Sequence, residues 1–122
     1  MRRKVAPEFL EKRFSKRVPL SLPISGKIAE AIFRGHKFEG KTEDVSYDGL
    51  GISVPVPNGF RRGKKIKFKT QLYRGDILIK AAGIVHWVDT QNGPEGPIRI
   101  GVELKWLSRP SYWYKRIEEE IV

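Results

Sequence analysis

Residues 64–72, KKIKFKTQL, alternate without a break: Ile66, Phe68, Thr70 and Leu72 point one way, Lys65, Lys67, Lys69 and Gln71 the other. A period of two cannot bury one stripe of a helix. It fits a strand with one face in a core and a basic face in water. Residues 98–106, IRIGVELKW, repeat the design, with Ile98, Ile100, Val102, Leu104 and Trp106 on the inward parity. Residues 49–54, GLGISV, place Leu50, Ile52 and Val54 on one face. Residues 26–34 and 37–46 alternate less cleanly, and 77–88, ILIKAAGIVHWV, are apolar on both faces with a bend expected at Gly83. Turn residues stand between these runs: Arg34-Gly35, Asp48-Gly49, Asn58-Gly59, Arg74-Gly75-Asp76 and QNGPEGP at 91–97. Six strands with hairpin-length connections predict an all-β, antiparallel barrel or sandwich.

The two ends differ from this middle. Residues 1–18 carry Arg2, Arg3, Lys4, Lys12, Arg13, Lys16 and Arg17 against only Glu8 and Glu11. With Pro7 in their midst and Pro19 just after, they read as a flexible basic N-terminal arm, with a short helical turn at most over 6–14. Residues 108–122 read as a helix capped at Ser108 or Ser111, with Pro110 in its first turn. Trp113, Ile117 and Ile121 form one apolar stripe, and Lys115–Glu119 and Arg116–Glu120 are spaced to pair along the other side. The expected division is an arm at 1–18, a β-domain at 19–107 and a C-terminal amphipathic helix at 108–122 that covers one end of the barrel.

The 122 residues suit one domain with one modest core. The net charge of +10 marks a surface that attracts anions: nucleic acid, nucleotides, acidic lipid or acidic protein. No stretch reaches the ~18 apolar residues of a membrane span, and no secretion signal is visible, so a cytoplasmic location is expected. With no cysteine, disulfides and thiolate metal sites are excluded. His36 and His86 are far apart and lack the spacing of a metal site, and His86 reads as a hydrogen-bonded strand residue. Neither a nucleophile elbow nor a phosphate loop is present, and Glu118, Glu119 and Glu120 diverge around the helix. No enzyme activity, metal or cofactor is expected.

Two short patterns carry more. RFSKR at 13–17 spaces Arg13 and Arg17 four apart, and DVSYDG at 44–49 gives Asp44-x-Ser46-x-x-Gly49. Arginine's planar fork matches guanine O6 and N7 or phosphate oxygens and stacks on purines. A carboxylate accepts from guanine N1–H and N2–H. On a strand Asp44 and Ser46 share a face while Val45 enters the core, and Gly49 is expected to supply a positive φ in the turn. An ordinary turn bonded to its own backbone is the competing reading of Asp44, Ser46 and Gly49.

In their order and separation the two patterns resemble the PilZ domain family, bacterial receptors for cyclic di-GMP (c-di-GMP). The resemblance spans about residues 10–107 and includes AAGIVHWV and IRIGVEL as the last two strands of a six-stranded antiparallel β-barrel. It implies a c-di-GMP receptor or effector in second-messenger signalling, of the kind that governs biofilm formation and motility. The implied ligand residues are Arg13, Arg17, Asp44, Ser46 and Gly49. Lys12, the residue before the arginine motif, resembles the pattern of relatives that take an intercalated c-di-GMP pair. The implied mechanism orders the arm over the barrel and presents a new surface to a downstream protein. Two other readings stand beside it. One is a basic barrel for RNA or single-stranded DNA, prompted by Lys65, Lys67 and Lys69 and by Trp87, Trp106 and Trp113, although Trp106 and Trp113 fall on inward positions. The other is a PilZ-like adaptor working through protein contacts alone.

Overall fold

In the computed structural model the described residues are 17–29, 36–55, 59–73, 76–90 and 97–121. Seven strands precede one helix: β1 (Val18–Pro19), β2 (Pro23–Ile28), β3 (His36–Val45), β4 (Gly49–Val54), β5 (Lys65–Tyr73), β6 (Asp76–Asp89), β7 (Ile98–Leu107) and α1 (Pro110–Ile121). All pairings are antiparallel, in the order β3-β2-β5-β6-β7-β4, and β4 returns to β3 to close a six-stranded barrel. Closure removes the exposed sheet edges that would otherwise template aggregation. The short β1 is additional and lies along the end of β3.

β5 has the alternation the sequence predicts, with Ile66, Phe68, Thr70 and Leu72 buried and the three lysines exposed. Leu50, Ile52 and Val54 of β4 meet Ile98, Ile100 and Val102 of β7 inside the barrel. β2 is displaced from its expected span, starting at Pro23 and ending at Ile28. Proline tolerates a strand's first position, where its missing N–H matters least.

The last third of β7 departs from the alternation. Trp106, expected inside, is 54% exposed. The cause is a bulge in the β6–β7 ladder: Ala82 pairs with Trp106 but Gly83 pairs with Leu104, leaving Lys105 as the extra residue. One inserted residue reverses the parity of everything beyond it, so Leu107 turns toward the core and Trp106 away. Gly83 marks the point: a Cβ there would lie 2.6 Å from the Glu103 carbonyl oxygen.

α1 seals one end of the barrel with Trp113 and Ile117, both buried, while Ile121 has passed the rim and is exposed. The Arg116 Nε donates to the Leu72 carbonyl at 2.9 Å, and Arg116 pairs with Glu120 one turn on. The Tyr73 hydroxyl donates to Glu119 at 2.8 Å, which, with the negative charge so close, holds the Tyr73 pKa above its ordinary value. No described helix is long and apolar enough to cross a membrane.

Candidate functional site

The site begins with what fixes Arg17 in place. β1 pairs with the end of β3 through Val18↔Val45 and Pro19↔Asp44, and Val18 is buried, so residues 18–19 lie against the outside of the barrel as an added strand. Between β1 and β2 the buried Thr42 hydroxyl accepts from the Leu22 amide at 2.7 Å and donates to the Leu20 carbonyl at 2.5 Å. The Thr42 amide donates in turn to the Leu22 carbonyl at 2.9 Å. One threonine thus replaces the ladder where the chain passes from β1 to β2.

Arg17 is thereby delivered to Asp44. Its Nη1 donates to Asp44 Oδ1 at 2.7 Å, and the same oxygen accepts from the Gly51 amide at 3.2 Å. The side chains are 45% and 34% exposed, so the pair stands in solvent. An ion pair so exposed contributes about 0–1 kcal/mol, and opening it for a better partner costs little. Beside it Arg99 Nε meets Glu43 Oε1 at 2.6 Å.

The pair rests on glycine. Asp44 is opposite Gly51, Gly51 opposite Gly101, and Gly101 opposite Trp87, one continuous row across β3, β4, β7 and β6 on the outer surface. A Cβ at Gly51 would lie 3.1 Å from Asp44 Oδ1, and one at Gly101 would fall 2.1 Å from Trp87 Nε1. At Gly49, two residues along, a Cβ would lie 3.6 Å from Arg17 Nη2 and 2.8 Å from the Val102 carbonyl oxygen. The three glycines form a floor that is itself buried: the Arg17 and Asp44 side chains lie against one end, and the Trp87 indole lies over the other. Trp87 remains 42% exposed.

Gly49 does not have the positive φ expected of it; among the described glycines only Gly59 and Gly63 do. Its lack of a side chain serves close approach instead. Ser46 is buried, and its hydroxyl lies 3.1 Å from both Asp48 Oδ1 and the Gly49 carbonyl, a donor shared within the turn. The Leu104 amide donates to the Asp48 carbonyl at 2.8 Å and the Trp113 Nε1 to the Ser46 carbonyl at 3.0 Å, tying the turn to β7 and α1. Tyr47 adds ring contact with Tyr114, centroids 4.9 Å apart, and a 2.5 Å hydrogen bond to Glu118. Lys12 and Arg13 lie outside the described residues.

His86 sits in a second irregularity of the β6–β7 ladder, exposed and with Nε2 3.9 Å from Glu103 Oε1. No cluster of potential metal ligands occurs among the described residues. Sequence reasoning did not assemble Trp87 with the three glycines. The available signal was glycine at outward positions 49, 51 and 101 of otherwise regular strands, where glycine marks close approach.

The described residues thus form a closed barrel that carries a partly exposed arginine–aspartate pair on its outer surface. The PilZ domain family description matches residues 11–119, and the chain belongs to that family. PilZ domains are in general c-di-GMP receptors, ligand-binding or adaptor domains rather than enzymes. Among solved structures, the Bacillus subtilis inhibitor of motility (MotI/DgrA) superposes with a TM-score of 0.67 at 11% identity. The match covers 86% of this chain and 49% of that one, so this chain spans about half the length of that neighbour. At that identity the likeness carries the fold alone. No curated protein sequence matches.

Proposed function

We propose that this PilZ domain is a c-di-GMP receptor whose ligand lies on the glycine floor between Arg17 and Trp87. The observation that supports this best is the Arg17–Asp44 pair, 2.7 Å apart and partly solvent-exposed beside glycines that let side chains and backbone approach closely. Asp44 offers a carboxylate to the donor edge of a guanine, and Arg17 offers its fork to O6 and N7 or to a phosphate oxygen. The outer face of the Trp87 indole is free to take a purine by stacking, as the inner face takes Gly101. Ser46 and Gly49 act in this reading by holding the turn and by leaving room.

Arg13, four residues before Arg17, supplies a second fork, and Lys12 adds charge for the phosphates of an intercalated pair. Ligand binding gathers these residues onto the barrel, and the covered surface becomes the one a downstream protein reads. The rigid ties from the Ser46–Gly49 turn to Trp113 and Tyr114 give that change a path to α1.

Calorimetric titration with c-di-GMP tests the site. Arg17→Ala and Asp44→Ala each remove charge-assisted bonds of about 1.5–3 kcal/mol and are expected to weaken binding at least ~10-fold, with Lys65→Ala unchanged. Full affinity in both site variants would reject the proposal, and a wild-type chain indifferent to the ligand would leave the adaptor reading in its place.

A further inference from the structure

The side of the barrel away from the glycine floor carries a different arrangement. Lys27 of β2 is opposite Lys37 of β3 on one side and Lys67 of β5 on the other. Lys67 is in turn opposite Ala82 of β6, and Ala82 opposite Trp106 of β7. The next row holds Lys69 opposite Lys80. All five lysines are exposed, and with Trp106 they line one concavity of 1040 Å³. Glu39, opposite Ser25, is the one carboxylate of the described residues lining it.

Like charges directly opposite each other across a ladder destabilise a sheet. The pairings of Lys27 with Lys67 and of Lys69 with Lys80 therefore work against the barrel's own stability. We infer that this face is a second binding surface, for single-stranded nucleic acid, distinct from the nucleotide site. Charge complementarity selects a polyanion. The bulge at Ala82 and Gly83, which turns Trp106 outward, sets an exposed indole at the end of the lysine row. An aromatic beside a basic groove is the arrangement on which unpaired bases stack. A duplex offers no free base face to it. The patch uses lysine throughout; such point charges neutralise phosphates without reading base edges, so binding is sequence-tolerant. Trp106 ends the same cross-strand row as Lys37, Lys27 and Lys67, a single aromatic beside a line of charges, which suits a base stacking next to its own phosphodiester.

The test uses the full chain and a labelled oligothymidylate of about twelve nucleotides, within the ~4–16 nucleotide site sizes of single-strand-binding barrels. Anisotropy titrations across a salt series are expected to show log affinity falling against log salt with a slope near −3.5 if all five lysines meet phosphates, at about −0.7 each. Lys27→Thr with Lys67→Thr should reduce the slope by about 1.4, and Trp106→Ala should weaken binding on the order of tenfold. The double lysine variant should also melt higher than wild type. Arg17→Ala should leave the oligonucleotide affinity unchanged while lowering that for c-di-GMP, so the two proposals fail separately. An unchanged slope in the lysine variant, a lower melting temperature, or loss of oligonucleotide binding in Arg17→Ala would each overturn the inference. So would binding to phosphatidylserine vesicles without binding to the oligonucleotide.

Discussion

Trp113→Ala is expected to lower the unfolding free energy by about 3–5 kcal/mol, the range for removing a buried aromatic side chain. Trp113 is 1% exposed and plugs one end of the barrel together with Ile117. Its truncation opens a cavity and also strands the Ser46 carbonyl, which the indole N–H satisfies at 3.0 Å. An unpaired buried acceptor costs about 1–3 kcal/mol, part of which is contained in the total above. Trp113→Phe separates the two contributions, because it keeps most of the volume and removes the donor. Since small domains are stable by only about 5–15 kcal/mol, the alanine variant should unfold at much lower denaturant, with an unchanged m-value if α1 and the barrel unfold together. A loss below about 1 kcal/mol, or a helix that melts ahead of an undisturbed barrel, would contradict the role given to Trp113. The same substitution should loosen residues 46–49, visible as faster amide exchange, because their anchor to α1 is gone.

Much of this architecture can be read from a period of two. β5 shows it without interruption because each outward position carries a charge or amide and each inward one an apolar residue or a threonine. β4 and the first half of β7 are legible for the same reason. The signal fails where the ladder is irregular. Trp106 continues the apolar alternation of Ile98, Ile100 and Val102, and nothing local announces that Lys105 is an extra residue. The bulge is a property of the β6–β7 pair, specified jointly by Gly83 and by close packing on Val102 and Glu103, and a single strand read alone does not contain it. β1 is hidden for a related reason: its two residues have no pattern of their own, and their place depends on Thr42 more than twenty residues later.

The site divides in the same way. Arg17, Asp44, Ser46 and Gly49 are noticeable in sequence because the residue types and spacing suit a guanine nucleotide, and the structure brings Arg17 and Asp44 together. Their individual tasks were less visible. Ser46 faces into its own turn, where burial and two acceptors occupy its hydroxyl. The spacing predicts a positive φ at Gly49, whereas its contribution is close approach to the Val102 carbonyl and room for Arg17. Gly51, Gly101 and Trp87 act as a unit only after β4 has been threaded between β3 and β7, and registration across four strands is tertiary information.

Gly101→Val is the change expected to damage that unit most while sparing the barrel. At position 101 even a Cβ would sit 2.1 Å from Trp87 Nε1 and 2.2 Å from its Cε2, so the indole must leave. Trp87 is 42% exposed and can swing outward, which limits the damage to the fold. Valine suits a strand, and the Gly51–Gly101 pairing is through backbone, so the ladder should persist with a stability change of about 1 kcal/mol. If a purine stacks on Trp87 in place, displacing the ring removes about 1–3 kcal/mol of binding, roughly 5- to 150-fold in c-di-GMP affinity. Trp87→Ala should lose a similar amount, and the double variant no more than either alone, since both act on one ring. Additive losses would mean that valine harms the site by another route. Undiminished affinity in Gly101→Val, with a cooperative unfolding transition, would mean that the indole serves only to cover glycine and that the ligand stops at Arg17 and Asp44.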